Sequence, residues 1–540
     1  MKKKRILSCL ILILLGLSSF STAGTLSSNL SATLKTAANG ERIPVLVILP
    51  DRKDAISLKE KLVSSYATRA ERHNHGMRYL QRRADDDQKG ILQELHRMET
   101  AGLAAKIKSH WLINAVTAEI AASELEKLAS RKDLLEVGLV PKAVGIAPPK
   151  QSDESPDLTK LAGEIEWNIK AIGADSAWRL GYTGAGRLVC SFDTGVKGIH
   201  PALINGWKGH DGDSAAAWFD PIYGESFPHY IANAGSYPWH GTHTTGTMVG
   251  IDNVTGDTIG VAPEAKWIAA GVIDVPGASI IDAFEWAADP DGDPNTISDV
   301  PDVINHSWGI TNEEFGCNDY FWAMIDNSEA LGIVNIFAAG NDGVAGSISN
   351  PANRPECFAV GALDSITTTD TLIANFSSLG PSDCDGTTTK PDVVAPGVAI
   401  RSSYTTIPYY SAGGTSMASP HVSGAVALLR QAAPDATVDE IKQALKDGCI
   451  PLGESSPNDT MGYGLIYIPA AIEALAPAAT SDLRVAGFNH GNPDPGASAS
   501  IPVYITNKGG QLTDVYGIIS GGTGKVTYSA DADSLYFGTV

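Results

Sequence analysis

The sequence predicts an α/β fold, with a mainly parallel sheet covered by helices on both faces. A small α+β unit precedes it and a partial β module follows it. Between about residues 165 and 476, apolar strand patterns alternate with helical patterns, which is typical of parallel strands joined by crossover helices. The 540 residues are 43% hydrophobic and 19% charged, an ordinary globular composition. At roughly 150 residues per domain, this length accommodates two to four folded units.

Charge is unevenly distributed along the chain. Residues 1–150 carry 24 Lys and Arg against 15 Asp and Glu, whereas the remaining residues carry 16 against 46. The net charge of the whole chain is −21. Because a strongly acidic body repels polyanions, we expect no binding to nucleic acid or to anionic membrane surfaces.

The first 23 residues have the pattern of a secretory signal. Basic residues at 2–5 precede an apolar run at 6–17, and small residues end at Ala23. The run is about a dozen residues long, short of the ~20 that cross a bilayer. We therefore expect a signal peptide over 1–23 and a secreted protein without a membrane span.

Residues 24–150 are expected to form the small α+β unit. Apolar strand patterns and polar helical patterns alternate in it. A turn-rich tract at 148–156 (PPKQSDESP) marks its end. In chain order the predicted segments are strand 42–50, helical region 57–107, strand 111–120, helix 122–131 and strand 134–140.

The central domain is predicted at 165–476 and the β module at 482–540. The central strands are predicted at 188–192, 267–272, 303–306, 334–338 and 358–362, and the helices at 280–288, 323–331 and 420–432. The β module shows short β patterns between Gly and Asn turns. About 60 residues is too few for a complete β-sandwich, so we expect an incomplete one.

Three local signatures carry candidate chemistry. An aspartate ends a buried strand in 191–195 (SFDTG), a histidine opens a helix in 240–247 (HGTHTTGT), and a serine lies at a loop-to-helix junction in 414–421 (GTSMASPH). A serine hydroxyl is a weak nucleophile, so it needs a base, and the resulting imidazolium needs an oriented anion. Ser416, His240 and Asp193 would supply these three roles.

Asn341 is the candidate oxyanion donor. It follows the strand pattern 337–341 (FAAGN), where a side-chain amide could face the reacting carbonyl. The backbone N–H of Ser416, at the start of a helix, would be the second donor.

At these residues the chain resembles the subtilisin-type serine peptidases, whose chain order of catalytic residues is also Asp, His, Ser. The resemblance covers about residues 165–475 and implies endoproteolysis at the carboxyl ends of a mainly parallel sheet. It implies that Ser307, Trp308 and Gly309 pair with extended substrate, and that this segment and Ala338, Ala339 and Gly340 form the walls of the pocket for the residue before the scissile bond. Ser349 stands where some relatives have an acidic residue, so we expect apolar or aromatic side chains in this pocket.

The same resemblance assigns a role to the basic front section. Residues 24–150 look like a prosegment that assists folding and inhibits the enzyme, and its basic charge favours docking on the acidic body. The maturation cut is expected between about Ala147 and Glu164. The resemblance assigns no role to the charged region 57–107.

Metal sites remain open alternatives. The chemistry requires no cofactor, and structural calcium is left unassigned. Relatives place a calcium-ligating aspartate where this chain has Ala202, which predicts that this site is lost or rebuilt. The acids of 289–293 (DPDGD) could bind calcium, although a solvated loop is favoured. His240 and His243 are a poor zinc pair because a third ligand is missing.

Five cysteines remain after signal removal. Cys190 lies in a buried strand pattern and is the expected free thiol. The other four can pair in three ways, of which we favour Cys317–Cys357 with Cys384–Cys449.

Taken together, these observations predict a secreted serine endopeptidase, made as a prosegment-inhibited zymogen. We expect a monomer that binds protein or peptide substrates and, within one chain, its own prosegment. One alternative is a catalytically silent binding or adhesion protein with a peptidase fold. Another is a structural protein whose proteolysis only processes its own chain.

Overall fold

The computed structural model describes residues 24–38, 40–50, 54–146, 165–252, 254–310, 317, 319–366, 371–453 and 455–475, and four short strands beyond them. The predicted signal peptide at 1–23 lies outside the described residues, as does most of the predicted β module. None of the helices in the described part of the chain has the length and apolarity that a bilayer span requires.

The helices of the described residues are α1 (Ser28–Leu34), α2 (Asp54–Ser65), α3 (Arg69–Asp87), α4 (Lys89–Thr100), α5 (Ala122–Ala129), α6 (Trp167–Ala171), α7 (Ala174–Arg179), α8 (His240–Val249), α9 (Ile280–Ala288), α10 (Asp319–Ala330), α11 (Thr415–Ala432), α12 (Val438–Asp447) and α13 (Ile468–Leu475). Side-chain caps start several of them. Thr68 with Glu71 and Thr437 with Glu440 form complete capping boxes before α3 and α12.

The strands are β1 (Thr25–Leu26), β2 (Arg42–Ile48), β3 (Ala104–His110), β4 (Ala115–Ala121), β5 (Glu136–Leu139), β6 (Val144–Gly145), β7 (Leu188–Asp193), β8 (Trp218–Phe219), β9 (Ile251–Asp252), β10 (Asp257–Thr258), β11 (Lys266–Gly271), β12 (Val303–His306), β13 (Trp308–Gly309), β14 (Val334–Ala338), β15 (Phe358–Ile366), β16 (Thr371–Ile373), β17 (Val393–Pro396), β18 (Ile400–Ser403), β19 (Tyr409–Ala412), β20 (Leu483–Val485), β21 (Ile505–Asn507), β22 (Val515–Ile518) and β23 (Ser534–Gly538).

The chain divides into two compact units. The first contains residues up to Pro50, Gly90–Lys108 and Ala115–Val140. The second contains Asp51–Lys89, Ser109–Asn114 and all residues from Pro141 onwards. This division differs from the boundary near residue 150, which concerns processing and stays a prediction.

The first unit is a five-stranded sheet in the order β1-β5-β2-β4-β3 with helices packed on it. Alternate side chains of β2 and β4, including Val45, Val47 and Val116, are fully buried in its core. The sequence predicted one helical region over 57–107, but β3 begins at Ala104. Gly102, with φ of 75°, lies in the turn between α4 and β3, in a conformation that favours glycine.

The second unit contains the predicted α/β sheet. Its strands follow the order β16-β15-β14-β12-β7-β11-β8, with β17 also paired to β15. All of these pairs are parallel except the antiparallel pair β15–β16. The central strands β7, β12 and β14 are buried along their full length, as expected for a sheet covered on both faces. The predicted fold class is confirmed.

Beyond residue 482, two antiparallel strand pairs are described. They are β20 with β21 and β22 with β23. The predicted sandwich-like module at 482–540 otherwise lies outside the described residues and stays a prediction.

The predicted disulfide pairing is wrong. Cys317 pairs with Cys384, with Cα atoms 5.4 Å apart, while Cys357 and Cys449 are free and Cys190 is free and buried, as expected. Cys357 is buried at the start of β15 beside Arg354, and the Cys449 thiol donates to Leu445 O. Loop proximity in space, which spacing along the chain does not reveal, selects the pair.

Candidate active site

Asp193 and His240 form a buried pair at the carboxyl ends of the parallel strands. Asp193 ends β7, and His240 is the first residue of α8. His240 Nδ1 lies 2.8 Å from Asp193 Oδ1 and 3.1 Å from Oδ2. Gly241 permits this approach, because a Cβ there would lie 2.8 Å from Asp193 Cβ.

Two further donors hold the Asp193 carboxylate. The Thr194 N–H donates to Oδ1 at 2.8 Å, and the Thr244 hydroxyl lies 3.1 Å from Oδ2. Thr244 lies one helical turn after His240, inside the motif that the sequence singled out, but its role was not predicted. With Asp193 only 2% exposed, these contacts satisfy a buried carboxylate that faces the imidazole.

Ser416 lies in the first turn of α11, which begins at Thr415. Its Oγ donates to Ser307 O at 3.3 Å, and Ser307 Oγ donates in return to Ser416 O at 2.9 Å. The buried Nε2 of His240 has no hydrogen-bond partner among the described residues. The hydrogen bond between the proposed nucleophile and base is therefore not formed in this conformation.

Asn341 lies directly beside the helix that carries Ser416. Its Oδ1 accepts from the backbone N–H of Thr415 at 2.9 Å and from the Thr415 hydroxyl at 3.0 Å. These two contacts assign Oδ1 as the acceptor end of the carboxamide and Nδ2 as its donor end. Backbone N–H groups in the first turn of a helix lack intrahelical acceptors, so that of Ser416 suits the second oxyanion donor.

Asn305 is a supporting residue whose role the sequence did not predict. It donates to Ser307 Oγ at 2.9 Å and accepts from Ser419 Oγ at 2.8 Å and Ser423 Oγ at 3.1 Å. These buried bonds tie β12 to α11 and fix Ser307 relative to Ser416.

The predicted substrate segment pairs with a strand of the chain itself. Trp308 lies opposite Gly145 and Gly309 opposite Val144 in an antiparallel pair. On the other side, Asp274 N donates to Ala143 O at 3.4 Å, and Asp274 Oδ2 accepts from Gly145 N at 3.0 Å. Residues 143–145 therefore lie extended between two backbone segments.

Asp274 is a contact that the sequence did not predict. Partial burial, followed by the nearby Asp193 carboxylate, raises its pKa above the usual aspartate value, while the hydrogen bond from Gly145 acts in the opposite direction. The only feature of the sequence that could have indicated Asp274 is its position just after β11, near the carboxyl end of a parallel strand.

The two predicted pocket walls lie close together. Ser349 N donates to Ala339 O at 2.7 Å, and the Ser349 side chain lies against Gly340 and within 3.4 Å of where a Cβ of Gly309 would be. Gly340 has a φ of 112° and a Cβ there would meet Ser349 and Ser378. Trp308 is 1% exposed and packs edge-on against Phe337. Substrate binding stays a prediction for the six residues of these two segments, Ser307, Trp308, Gly309, Ala338, Ala339 and Gly340.

His243 has a structural environment. Its Nε2 lies 3.0 Å from the carbonyl oxygens of both Ile400 and Tyr410, across the β18–β19 pair. Burial lowers its pKa to about 3. Among the described residues, no group of three ligand atoms from His, Cys, Asp or Glu includes His240 or His243.

The predicted loss or rebuilding of a calcium site at Ala202 stays a prediction. Ala202 O accepts from Ile251 N at 3.0 Å, at the start of the β9–β10 loop. The acids around this loop are engaged by Arg401, which bonds Glu166 at 2.9 Å and Asp257 at 2.8 Å and lies 4.1 Å from the centre of the Tyr409 ring. A guanidinium supplies the positive charge here.

The acidic loop after α9 carries mutually repelling carboxylates. Burial raises the pKa of Asp289 to about 6, with contributions from Asp291 and Asp293. Burial, and after it the negative charge of Asp291, likewise raises the pKa of Asp299 to about 6. Asp299 is 6% exposed, and its Oδ1 is buried without a hydrogen-bond partner among the described residues. Calcium binding here stays unassigned.

Comparison with known proteins places these features in a family. The model of the subtilase family matches residues 184–464. The chain is 36% identical over 441 residues to bacillopeptidase F of Bacillus subtilis, covering 77% of this chain and 30% of that protein. It is 34% identical over 319 residues to subtilisin DY of Bacillus licheniformis, covering 58% of this chain and 100% of that protein.

A solved structure shows the same fold. Fervidolysin from Fervidobacterium pennivorans, described as a keratinolytic enzyme related to subtilisin, matches with a TM-score of 0.54 at 21% identity, covering 84% of this chain and 63% of that chain. The sequence also showed a resemblance to bacillopeptidase F in 166–168 (EWN), 200–203 (HPAL), 305–309 (NHSWG) and 350–353 (NPAN). The comparison confirms this resemblance, although the chain spans less than a third of that relative. The chain belongs to the subtilase family.

Proposed function

We propose that this chain is a secreted serine endopeptidase, made as a zymogen that its own prosegment inhibits. Homology to subtilases supports a proteolytic function in general. The observation that carries the specific proposal is the buried pair of Asp193 and His240, with Nδ1 and Oδ1 2.8 Å apart, together with a serine, Ser416, in the first turn of α11.

In the proposed mechanism, Ser416 Oγ leaves Ser307 O and gives its proton to His240 Nε2 as it attacks the peptide carbonyl. Asp193, held by Thr194 and Thr244, stabilises the imidazolium that forms. Asn341 Nδ2 and the Ser416 N–H stabilise the oxyanion. His240 then protonates the leaving amine, and water hydrolyses the acyl-enzyme. This chemistry requires no cofactor.

The pairing of residues 144–145 with Trp308–Gly309 supports the zymogen part of the proposal. An extended segment in this place excludes a substrate strand from the same edge. The first step of activation is then cleavage after this segment, followed by its departure.

Casein hydrolysis by the purified protein tests the proposal. We expect activity in the wild type and none above background in Ser416→Ala, with the exposed Ser456→Ala as an active control. Processing of the chain itself without casein turnover would favour self-processing alone. Absence of both, in protein of native circular dichroism, would favour the catalytically silent binding protein.

A further inference from the structure

The charged region 57–107, to which the resemblance gives no role, contains a two-helix hairpin formed by α2 and α3. This hairpin belongs to the same compact unit as the sheet that carries Asp193. We propose that it is a second attachment of the prosegment. Arg69 anchors it at the amino ends of the parallel strands, opposite the catalytic residues, and this anchor sets the rate of prosegment release. The proposal rests on the proposed function in that residues 24–146 act as a prosegment.

Arg69 is enclosed by acceptors of the sheet unit. Its Nη1 donates to Asp302 Oδ1 at 3.1 Å, its Nε donates to Gly332 O at 3.1 Å, and its Nη2 donates to Pro301 O at 2.7 Å and Val300 O at 3.3 Å. The residue is only 7% exposed. A planar guanidinium matches this arrangement of acceptors, whereas a lysine ammonium would not.

The local shape is also complementary. Gly332 has a φ of 90°, and a Cβ there would lie 3.1 Å from Arg69 Cγ. A Cβ at Gly76 of α3 would lie 2.7 Å from Leu331 Cδ2. Glycine on each side therefore lets the two surfaces approach closely.

The contacts continue along α3. The N–H of Arg69 donates to Asp435 Oδ1 at 2.9 Å, so an acid of the sheet unit lies at the N-terminus of the helix. His73 Nε2 lies 2.8 Å from Ala288 O, the last residue of α9, and Asn74 Nδ2 donates to Asn295 Oδ1 at 2.8 Å. Burial lowers the pKa of His73 to about 4, which is consistent with a neutral, buried contact.

The Arg69 anchor lies at the amino ends of the parallel strands, and the tail at 143–145 lies at their carboxyl ends. Asp302 precedes β12, and its Oδ2 accepts from the N–H of Leu188, the first residue of β7. Asp193, the last residue of β7, lies five residues further along the strand, about 17 Å away. While the hairpin stays bound at one end of the strands, a cut tail remains tethered near the other end. Its rebinding is therefore intramolecular, at an effective concentration on the order of millimolar.

The pocket of Arg69 stays polar and charged when the hairpin leaves. Arg187 and Arg430 also lie 3.9 Å and 3.6 Å from Asp302 Oδ1. Burial, followed by the charge of Arg69, lowers the pKa of Arg430 to about 9. Asp302 thus keeps two cationic partners, Arg187 and Arg430, when Arg69 leaves. The hairpin can therefore separate without leaving a buried carboxylate unpaired in the sheet unit.

The test compares full-length chains that carry Arg69→Met or Asp435→Ala with wild type. The matched control is Arg82→Met, because Arg82 is exposed on the same helix and donates to Arg78 O. After self-processing, we expect the cut wild-type prosegment to co-elute with the sheet unit in gel filtration. In Arg69→Met it should dissociate on the order of 100-fold faster, with a shorter lag before casein activity. Arg82→Met should behave as wild type.

Hydrogen exchange on the uncut Ser416→Ala chain gives a readout that needs no catalysis. We expect the protection of α3 amides to fall on the order of 100-fold in Arg69→Met and clearly in Asp435→Ala, and to stay unchanged in Arg82→Met. Asp435 is exposed, so its variant serves if Arg69→Met does not fold. Equal protection in all variants would overturn the anchor, whereas absent processing with reduced protection would overturn only the proposed function.

Discussion

Each oxygen of the Asp193 carboxylate has a defined set of donors. Oδ1 accepts from Thr194 N and faces His240 Nδ1, and Oδ2 faces the same nitrogen and the Thr244 hydroxyl. The Thr244 hydroxyl also lies 3.2 Å from Gly241 O, so it has a choice of two acceptors. A hydroxyl that donates to a carboxylate favours its ionised form, which is the form that the proposed mechanism uses.

Replacing Thr244 with valine keeps its shape and removes its hydroxyl. We expect kcat to fall about 10-fold with KM nearly unchanged, because one hydrogen bond to a charged group is lost. Thr244→Ser should restore kcat. Steady-state kinetics on a peptide substrate, with thermal unfolding in parallel, checks this prediction. A fall in melting temperature that parallels the loss of kcat would instead assign Thr244 a structural role.

At this scale, residues within local motifs can be predicted from the sequence, whereas the residues that pack around them cannot. Asp193, His240 and Ser416 lie in distinctive segments because each role needs a strand end or a helix start. Asn305 and Asp274 act through partners more than 100 residues away, which no local pattern encodes. The disulfide was mispredicted for the same reason.

At the scale of elements, charges hold loops that flank the sheet. Arg401 of β18 bonds Glu166, before α6, and Asp257 of β10. Both acids are more than 90% buried, so removing the guanidinium leaves two desolvated anions.

Arg401→Met should lower the free energy of unfolding by about 3 kcal/mol. Arg179→Met is the control, since Arg179 pairs with Asp175 at 2.8 Å on the helix surface, and we expect a change below about 0.5 kcal/mol there. Urea unfolding in the Ser416→Ala background avoids self-digestion. Equal effects of the two substitutions would contradict the assigned role of Arg401.

The acidic loop after α9 gives a pH-dependent prediction. The pKa of Asp299 is about 6 in the folded chain and near 4 in the unfolded chain, so between these values the folded state binds more protons. Its contribution to stability therefore falls as pH rises from about 4 to 6 and stays lower above.

Asp299→Asn should accordingly raise the melting temperature of the Ser416→Ala chain more at pH 8 than at pH 4. The control Asp293→Asn should not, because hydrogen bonds from Asn295 lower the pKa of that exposed carboxyl. Thermal unfolding at both pH values measures the difference. A gain of equal size at pH 4 and pH 8 would contradict the burial of an ionised Asp299.

Element types were predictable where periodicity is strong, and less so where packing decides. The buried strands β7, β12 and β14 end within one residue of their predicted positions. The region 57–107 reads as helical, yet its end joins a sheet as β3, because β3 pairs with β4 in a hairpin that a short window does not reveal.

At the scale of the whole molecule, the register of the tail at 143–145 predicts where the proposed cut falls. Antiparallel pairing of Gly145 with Trp308 places Ile146 opposite Ser307, whose carbonyl contacts Ser416 Oγ. On the proposed function, we therefore expect the bond after Ile146 to be the one that Ser416 attacks.

Mass spectrometry of the first processing products should find a new N-terminus at Ala147 in the wild type. Ile146→Asp should slow this cut, since it would place a carboxylate beside Gly309, close to the Ser349 side chain, where the isoleucine side chain now lies. Lys142→Ala, outside the paired segment, should process normally. A first cut elsewhere in 148–164 would show that the tail does not lie in the cleft in this register.

The charge asymmetry of the chain has a structural counterpart at this scale. Arg69 and Lys59 of the hairpin pair with the carboxylates of Asp302 and Asp439, and Arg72 donates to the backbone carbonyl of Asp435. The sequence predicted that opposite charges favour docking, but it could not single out the buried pair of Arg69 and Asp302, on which the proposed attachment depends.

The central claim is that Ser416, activated by His240, is the nucleophile of a serine endopeptidase. Labelling of the processed protein with a fluorophosphonate probe, followed by peptide mapping, tests it most directly. We predict one label per chain, on Ser416, which is lost in His240→Ala and blocked while the tail is bound. No label on Ser416 in processed, folded protein, or a label that survives His240→Ala at the same rate, would contradict the account.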